Sequence, residues 1–391
     1  MSAPLAVVEP RPRIGSGAVA CFAVLLAFGW QLFTVTRNYH GDWTALYCIG
    51  GARPLPPPLR DAYRFRGSTG FDGQAYLMIA LDPLFRNDHS SYVDEAALRY
   101  RRILLPGLAF ITGLGDPRLI VYTYILVNLG FLFLGTWWMS ELTAVQFGHP
   151  AWGLLFLAVP SVPISLDRQT VDMALTALVL GAAYAWRTER WPLLFLLLPL
   201  VSLTRETGVL VVGGFILAFL LQRQWKRAAW CLAGMAPFLA WSWWGGLHLP
   251  LLLREWLPVH PYAASMHTLL HPPVLPFSDT IRFLVECFDL AALAGFVLGV
   301  MLSVRTCMRA RAYSGPMLSS LLIAGLCAYL FSLDEWMHVY DYGRIASPMA
   351  ALIIAERASF GRLCCLPAIL MTCRVIVQIA PQVFSFAGVH L

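Results

Sequence analysis

Residues Trp191–Leu221 read WPLLFLLLPLVSLTRETGVLVVGGFILAFLL, an apolar run whose only charged residues, Arg205 and Glu206, stand at its middle. As one helix this run would extend about 46 Å, more than the ~30 Å hydrocarbon core of a bilayer requires. Two shorter helices joined at the turn T-R-E-T-G would account for the length of the run and for the charges at its middle. Such a hairpin would also place both flanking basic loops on the same side of the membrane. Non-helical backbone at membrane depth is tolerated where it lines protein or a water-filled cavity, so this hairpin predicts a pocket at its turn.

The rest of the chain has the same apolar character. It is 58% hydrophobic and 13% charged, with a mean hydropathy of +0.65, which is typical of polytopic membrane proteins. Recurrent apolar runs predict an all-α transmembrane protein with about 11 spans, forming a single integral-membrane domain. The formal net charge of +6 is then attributed to basic residues that set the orientation in the membrane and bind anionic lipid or phosphate ligands. It does not indicate nucleic acid as a partner.

The predicted boundaries follow from the apolar runs. The first span is expected over about 14–36 and is interpreted as uncleaved, because it is long and no A-x-A-like site follows it. A long loop with interfacial helices covers about 37–117, and the remaining spans lie over about 118–381. Within the loop, Ile103–Gly115 is too short to cross comfortably, so an interfacial helix is predicted, with a thin true span as the alternative.

Basic residues in the short loops determine the predicted orientation. They form the groups Arg11/Arg13, Arg187/Arg190, Arg223/Lys226/Arg227, Arg305/Arg309/Arg311 and Arg357/Arg362. Placing every group in the cytoplasm satisfies the positive-inside rule, with the N-terminus inside and the C-terminus outside. The unusual polar residues then collect at the extracytoplasmic face, which favours work on a lipid-linked substrate presented there.

Charges are densest in the stretch Gly70–Pro106, within the long loop. Asp72 and Tyr76 are predicted to share one face of a short helix. Asp72 is either an ordinary helix-start aspartate or a carboxylate base that takes a proton from an acceptor hydroxyl. Arg101 and Arg102 either anchor an interfacial helix to lipid headgroups or form a fork that grips the phosphate of a lipid-linked donor.

Two further charged turns are candidates for the same site. Asp167 and Asp172 bracket the turn S-L-D-R-Q-T-V-D-M, where helix capping is the competing explanation for at least one of them. The pair Arg205–Glu206 is either a structural pair that satisfies the hairpin turn or a functional pair at membrane depth.

The last outer loop, D-E-W-M-H-V-Y-D-Y-G-R, contains Asp341 and ends at Arg344. Its aromatic and carboxylate residues suit sugar stacking and hydroxyl binding, and an aromatic interface belt is the alternative.

Metal binding receives little support from the sequence. His260, His267 and His271 lie in a Pro-rich loop without the helical H-x-x-x-H spacing of a zinc site. The nine cysteines form no CxxC pair and mostly fall in apolar runs, where cysteine behaves as a small hydrophobe. No metal site is predicted, although a divalent metal ion stays open as a cofactor.

The motifs F-D-G-Q-A-Y-L-M-I-A-L-D-P, R-Y-R-R-I-L-L-P, L-T-R-E-T-G and D-Y-G-R occur in this order along the chain. Together they resemble bacterial members of the GT-C superfamily, integral-membrane glycosyltransferases that use polyprenyl-phosphate-linked sugars. The resemblance implies that the first extracytoplasmic loop holds the catalytic acid, which is Asp72 by position. Many relatives carry a paired acidic motif there. This chain has Phe71 before Asp72, so a second carboxylate would come from elsewhere, such as Asp167 or Asp172.

The resemblance therefore implies a glycosyltransferase in a bacterial-type inner membrane. It would move a sugar from a polyprenyl-phosphate donor to a glycan, lipid or protein acceptor at the extracytoplasmic face, with inversion. Asp72 would act as base, arginines would stabilise the lipid phosphate, and Gln74 and Tyr76 would position sugar or acceptor. The alternatives are a transporter or flippase of an anionic or lipid-linked substrate, and a non-catalytic assembly subunit.

Overall fold

A computed structural model describes residues 15–249, 279–309, 313–330, 339–356, 361–377, 379, 382 and 383. Within those ranges the fold is all-helical, and the only β pairing is one isolated bridge between Gly50 and Phe65. The α-helices of this part of the chain are α1 (Ser16–Asn38), α2 (Asp72–Leu81), α3 (Ala96–Arg99), α4 (Leu104–Thr112), α5 (Pro117–Phe147), α6 (Ser161–Arg168), α7 (Asp172–Arg187), α8 (Trp191–Thr204), α9 (Gly208–Leu221), α10 (Trp225–Ala233), α11 (Ala236–His248), α12 (Asp279–Arg309), α13 (Gly315–Leu330), α14 (Val339–Ala355) and α15 (Leu366–Val377). Short 3₁₀ helices cover Trp43–Tyr47, Pro57–Leu59, His89–Tyr92, Pro150–Ala158 and Gly361–Cys365.

Three helices in the described ranges are long and apolar enough to cross a membrane by themselves: Ser16–Asn38, Pro117–Phe147 and Arg282–Arg309. A fourth crossing would be the pair Pro150–Ala158 and Ser161–Arg168, which is bent by 64° at its break. Helices α8, α9 and α13 are apolar but shorter. These helices indicate a membrane protein, while the predicted count of about 11 spans is not confirmed, because many apolar segments end well short of the ~30 Å hydrocarbon thickness.

The predicted break in the run Trp191–Leu221 is confirmed. Helix α8 ends at Thr204 and α9 begins at Gly208, so the non-helical turn holds Arg205 and Glu206. The two helices are antiparallel, because the rings of Trp191 at the start of α8 and Phe219 near the end of α9 have centroids 5.7 Å apart. A Cβ on Gly208 would lie 2.3 Å from the carbonyl oxygen of Val201, so this tight turn requires glycine.

The interfacial segment forms one short helix, α4. Its length is about 13 Å at ~1.5 Å per residue, less than half of a bilayer core. Ile111 is 67% exposed and Leu114, just beyond the helix, is 85% exposed. The helix therefore presents apolar side chains at the surface without crossing the membrane by itself.

The helices place their charged residues at two opposite ends of the bundle. Helix α7 runs from Asp172 to Arg187, α8 returns, and α9 runs back again. We call the end with Asp172 and the hairpin turn the site end. At the other end, the Arg227 guanidinium lies 4.0 Å from the Trp191 ring centroid, and Gln222 Nε2 donates to the Tyr313 carbonyl at 2.9 Å.

We call this other end the basic end, because it gathers the predicted cytoplasmic loops as far as the structure describes them. It holds Arg187, Arg190, Arg223, Lys226, Arg227, Arg305, Arg309 and Arg362. Arg362 lies 6.0 Å from the ring of Trp152, which follows α5 at this end. Arg11, Arg13, Arg311 and Arg357 lie outside the described residues. The described basic loops therefore lie together at one end of the bundle, as an orientation with every basic group on the same side of the membrane requires.

Candidate active site

Asp72 is the first residue of α2, at the site end. Phe71 precedes the helix in extended conformation, and the helix dipole favours a negative charge at this position. The next residue, Gly73, lies against another segment: a Cβ there would be 2.0 Å from the carbonyl oxygen of Arg168 and 3.1 Å from that of Tyr47. Close packing of the backbone at Gly73 thus determines where the Asp72 carboxylate sits.

Gly73→Ala should therefore displace the start of α2 and lower activity about 10²-fold, since a misplacement of about 1 Å can have that effect. The measurement is the rate of the sugar transfer that the sequence resemblance implies, at matched membrane expression. Gly107→Ala in α4 is the control, because its Cβ would meet only Ile103 Cγ1, at 3.7 Å. Normal activity of Gly73→Ala would show that the position of α2 does not matter.

Both carboxylate oxygens of Asp72 are paired with arginine. Oδ1 lies 2.9 Å from Arg99 Nη1, and Oδ2 accepts a hydrogen bond from Arg344 Nη1 at 2.5 Å. Burial alone would raise the pKa of Asp72, but Arg344, Arg99 and Arg102 outweigh it and hold that pKa well below its usual range. Asp72 is therefore ionised at neutral pH.

Arg344 links Asp72 to a second carboxylate. Its Nη1 lies 3.7 Å from Asp172 Oδ2, and its Nη2 lies 3.3 Å from Asp341 Oδ1. Its Nε donates to the carbonyl of Tyr340 at 2.6 Å, which fixes the direction of the guanidinium. Asp172 also accepts a hydrogen bond from Arg205 of the hairpin turn and is only 1% exposed.

The hairpin turn is connected in turn to the first loop. Arg102 binds Glu206 with two hydrogen bonds, from Nε to Oε2 at 2.8 Å and from Nη2 to Oε1 at 2.7 Å. The remaining nitrogen, Nη1, donates to the Tyr76 hydroxyl oxygen at 2.6 Å. Arg205 Nε lies 3.6 Å from Glu206 Oε1. The two hydrogen bonds from Arg102 to Glu206 form the bidentate geometry that arginine commonly makes with a carboxylate.

These contacts join into one chain of alternating charges, which we call the arginine–carboxylate network. Its members, in order of contact, are Arg99, Asp72, Arg344, Asp172, Arg205, Glu206 and Arg102. With four arginines and three carboxylates it carries one excess positive charge. Asp94 and Asp341 pair with its edges and are each 33% exposed. With these two carboxylates counted, five carboxylates face four arginines, so an anionic ligand would bind only by displacing a carboxylate from its arginine.

Such a network is a poor way to stabilise a fold. Removing each ion from water costs several kcal/mol, and well-packed apolar residues often serve as well. In addition, Asp172 Oδ2, Arg205 Nε and Thr207 Oγ1 are buried without a hydrogen-bond partner in the described part of the chain. Buried charges with unused hydrogen-bonding capacity at one end of a membrane bundle make this network a candidate functional site.

The structure brings together most of the residues predicted for the site. The network and its direct contacts contain Asp72, Tyr76, Arg102, Asp172, Arg205, Glu206, Asp341 and Arg344. Tyr76 is fully buried and holds Arg102. Tyr76 was predicted to position the sugar or the acceptor. Because its hydroxyl is bound to Arg102, it would do so indirectly, by holding Arg102 in place.

Three predicted residues lie apart from the network. Gln74 uses both ends of its amide within the loop, accepting from Gly50 N at 3.1 Å and donating to the Thr69 carbonyl at 2.9 Å. Arg101 faces α11, in a small space beside Trp241, so it does not form a fork with Arg102. Asp167 pairs with Arg168 at 2.8 Å and accepts from Gln382 Nε2 at 2.7 Å.

Arg99 was not among the predicted site residues, although it contacts Asp72 directly. The signal was present, since Arg99 and Arg102 stand three residues apart and share a face. Phe71 is a second contributor. Its ring lies between two guanidiniums, 5.4 Å from Arg168 and 5.2 Å from Arg344. Phe71 thus packs against Arg344, which pairs with Asp72, and against Arg168, through cation–π contacts.

The described residues contain no group of three or more His, Cys, Asp or Glu side chains that could hold a metal ion. His260, His267 and His271 fall outside these residues, as does the first part of the last outer loop. The carboxylates at the site end are matched by guanidiniums, so cationic side chains occupy the places beside Asp72 that a metal ion would need.

No family model, curated protein or solved structure matches this chain. The site end must therefore be interpreted from its own geometry.

An apolar groove approaches the site end from the side of the bundle. It has a volume of about 730 Å³ and lies between α1, α6, α12 and α15. Trp30, Leu166 and Phe288 are among its walls, and Asp167 is its only charged lining residue. The neighbouring Arg168 reaches Phe71, which directly precedes Asp72. A long apolar chain in this groove would have its polar end near the network.

Proposed function

We propose that this chain is a glycosyltransferase that moves a sugar from a polyprenyl-phosphate-linked donor to an acceptor hydroxyl, with inversion, in a bacterial-type inner membrane. One observation carries the proposal: Asp72 is held between Arg99 and Arg344 at the end of a helical bundle opposite its basic loops. A carboxylate for the acceptor and arginines for the phosphate are the groups that this transfer needs.

In the proposed reaction the acceptor hydroxyl gives its proton to Asp72. The acceptor oxygen forms a bond to the anomeric carbon as the bond from that carbon to the phosphate oxygen breaks. The electron pair and the negative charge pass to the lipid phosphate, where arginine hydrogen bonds stabilise them. Attack from the side opposite the leaving phosphate inverts the configuration of the sugar.

The pairing of Asp72 with two arginines favours an order of events in the proposed reaction. Both oxygens of Asp72 are occupied by arginine, and its depressed pKa makes it a weak base. A donor phosphate would compete for Arg99 or Arg344. When one guanidinium turns to the phosphate, an oxygen of Asp72 becomes available and its pKa rises toward the ordinary value. Donor binding would thus activate the base.

The apolar groove supports a lipid-linked donor over a nucleotide sugar. A polyprenyl chain would lie between α1 and α15, where burial contributes about 25 cal/mol per Å² of apolar surface. Asp167 and Arg168 would then stand near the phosphate, as parts of the groove's polar end.

The proposal places the site end on the extracytoplasmic side, in a topology of about 11 crossings that includes the shorter helices. A single cysteine at Thr207, a partly exposed position of the turn, in a chain without its native cysteines, should then react with an impermeant maleimide from outside. Cysteines at Arg190 and Arg223 should react only from the cytoplasm. Reaction of the hairpin turn from the cytoplasmic side alone would reverse the proposed orientation.

Transfer itself is tested with purified protein in lipid vesicles and a panel of radiolabelled polyprenyl-phosphate hexoses and pentoses, with and without a divalent-metal chelator. We expect release of the lipid phosphate by wild type and not by Asp72→Asn. Intact labelled donor that moves to the opposite leaflet would instead show a flippase. A chelator-sensitive rate would show that a divalent ion takes part.

A further inference from the structure

A separate cavity lies at the basic end, at the opposite end of the bundle from Asp72. Its volume is about 540 Å³, within the ~300–1,000 Å³ that is typical of small-molecule sites. Its walls come from the ends of α5, α7, α8 and α14, from α10, and from the segments that connect α9 to α10 and precede α13. An occupant would therefore contact several helix ends at once and would not touch the arginine–carboxylate network.

Four charged side chains line this cavity: Arg187, Arg227, Glu189 and Glu356. Within the described ranges, none of the four forms an ion pair at 4.0 Å or less. In the arginine–carboxylate network, by contrast, each carboxylate is paired with an arginine. The lining thus keeps two positive and two negative charges apart, with open space between them and no net charge.

Glu356, directly after α14, is a partly buried carboxylate with little to balance it. Its Oε1 accepts one long hydrogen bond, from Ser314 Oγ at 3.4 Å. Burial raises the pKa of Glu356, against smaller opposing effects of Ser314 and Arg187. The carboxylate therefore lacks a full counter-charge, and a ligand with an ammonium group would supply one.

The two arginines offer hydrogen-bond donors for an anionic group. Arg187 is exposed, and its Nη1 donates one long hydrogen bond, to the Leu142 carbonyl at 3.5 Å. The Arg227 guanidinium packs on the Trp191 ring, 4.0 Å from its centroid, and its Nη1 donates to Gln224 Oε1 at 2.6 Å. Because a guanidinium has five N–H groups, both arginines keep donors for a phosphate, the anion that the arginine fork suits best in shape and charge.

Apolar side chains beside the cavity face outward. Val145 and Leu221, each next to a lining residue in sequence, are 75% and 53% exposed. Trp186 and Trp191 form part of the wall, and tryptophan is enriched where a membrane meets water. These features suit a ligand whose polar head enters the cavity while its acyl chains stay in the bilayer.

We propose that this cavity binds the headgroup of a phospholipid that carries both a phosphate and a primary ammonium, as phosphatidylethanolamine does. The phosphate would accept hydrogen bonds from Arg187 and Arg227, and the ammonium would donate to Glu356. A zwitterionic headgroup matches the balanced charge of the lining and supplies the partners that its separated charges lack. The bound lipid would join α7, α10 and the end of α14, and its binding does not depend on the proposed transfer reaction.

Native mass spectrometry of the full chain in a neutral detergent, titrated with dioctanoyl lipids, tests the proposal. Wild type should bind phosphatidylethanolamine about five- to tenfold more tightly than phosphatidylcholine, because a trimethylammonium has no N–H to donate to a partly exposed carboxylate. Phosphatidylglycerol, an anion, should bind more weakly than phosphatidylethanolamine, since Glu189 and Glu356 oppose its charge. Soluble glycerophosphoethanolamine should bind at least about tenfold more weakly, because it has no acyl chains to bury.

Two variants should give different signatures. Glu356→Gln should lower the affinity for phosphatidylethanolamine to that for phosphatidylcholine and so abolish the preference. Arg187→Gln should weaken binding of both lipids by a similar factor, about three- to tenfold, and keep the preference, since both carry the phosphate. Arg190→Gln is the matched control, because Arg190 packs on the Tyr184 ring at 5.5 Å and lies outside the lining. It should bind like wild type.

Equal affinity of wild type for phosphatidylethanolamine and phosphatidylcholine overturns the proposal. So does a preference that persists in Glu356→Gln. Tighter binding of phosphatidylglycerol would show a site for anionic lipid instead. Equal binding of glycerophosphoethanolamine would show a site for a soluble phosphate compound, and either of these results also overturns the assignment to a zwitterionic lipid.

Discussion

Asp72→Asn should lower the rate of sugar transfer by about 10²–10⁴-fold, the usual contribution of a positioned general base. The amide has the size of the carboxylate, and its one oxygen can still accept a hydrogen bond from either Arg99 or Arg344, but it cannot take the proton of the acceptor. In terms of the activation barrier the loss is about 2.7–5.4 kcal/mol.

The measurement is the initial transfer rate of wild type and Asp72→Asn at equal amounts of membrane-inserted protein. Asp61→Asn serves as a comparison within the same long loop, because Asp61 is exposed and is not part of the arginine–carboxylate network. A variant Asp72→Asn that keeps more than about a tenth of the wild-type rate would exclude Asp72 as the base. Asp172, the buried carboxylate beside Arg344, would then be the next candidate.

Arg205→Leu should destabilise the folded protein by about 3–5 kcal/mol, the usual cost of leaving a buried charge without its partner. Asp172 is 1% exposed, and after this change its nearest cation would be Arg344, whose Nη1 is 3.7 Å from Oδ2. The measurement is the free energy of unfolding in mixed micelles, from reversible denaturation.

The double variant Arg205→Leu/Asp172→Asn should recover much of this loss, because no buried charge is then left unpaired. Arg227→Leu at the basic end is the control for removal of an arginine as such, since its guanidinium packs on Trp191 and lies far from Asp172. Equal destabilisation by the single and double variants would mean that Arg205 acts by packing and not by pairing with Asp172.

Sequence patterns predicted the elements of the site better than the contacts between them. The break between α8 and α9 followed from two properties visible in the sequence, the length of the run and the charges at its middle. The helix beginning at Asp72 followed from local spacing. Contacts such as that of Asp72 with Arg344 join residues 272 positions apart, and no local pattern encodes them.

The arginines illustrate the limit in detail. Adjacent Arg101 and Arg102 suggested a fork, but neighbouring positions in a helical turn point about 100° apart. The structure places Arg102 on Glu206 and Arg101 beside Trp241. Arg99, three positions before Arg102, reaches the network instead.

The number of spans was the least predictable feature. The apolar run at 150–165 reads as one crossing, but the structure divides it into a 3₁₀ helix and α6, with a 64° bend between them. Pro150 and Pro160 stand near the two ends of the first piece, where proline is compatible with helix boundaries. Hydropathy measures how apolar a segment is and not whether it stays straight.

The arginine–carboxylate network also has a consequence for biosynthesis. Arg205 follows Asp172 by 33 positions, whereas Arg344 follows Asp72 by 272. At about 5–20 residues per second, Arg344 leaves the ribosome roughly 15–50 s after Asp72. During that interval Asp72 can pair with Arg99 but not with Arg344. A nascent chain therefore buries the Asp172–Arg205 pair early and completes the environment of Asp72 only when α14 is inserted. Chains released before α14 would lack Arg344 and so keep a partly unmatched carboxylate at Asp72.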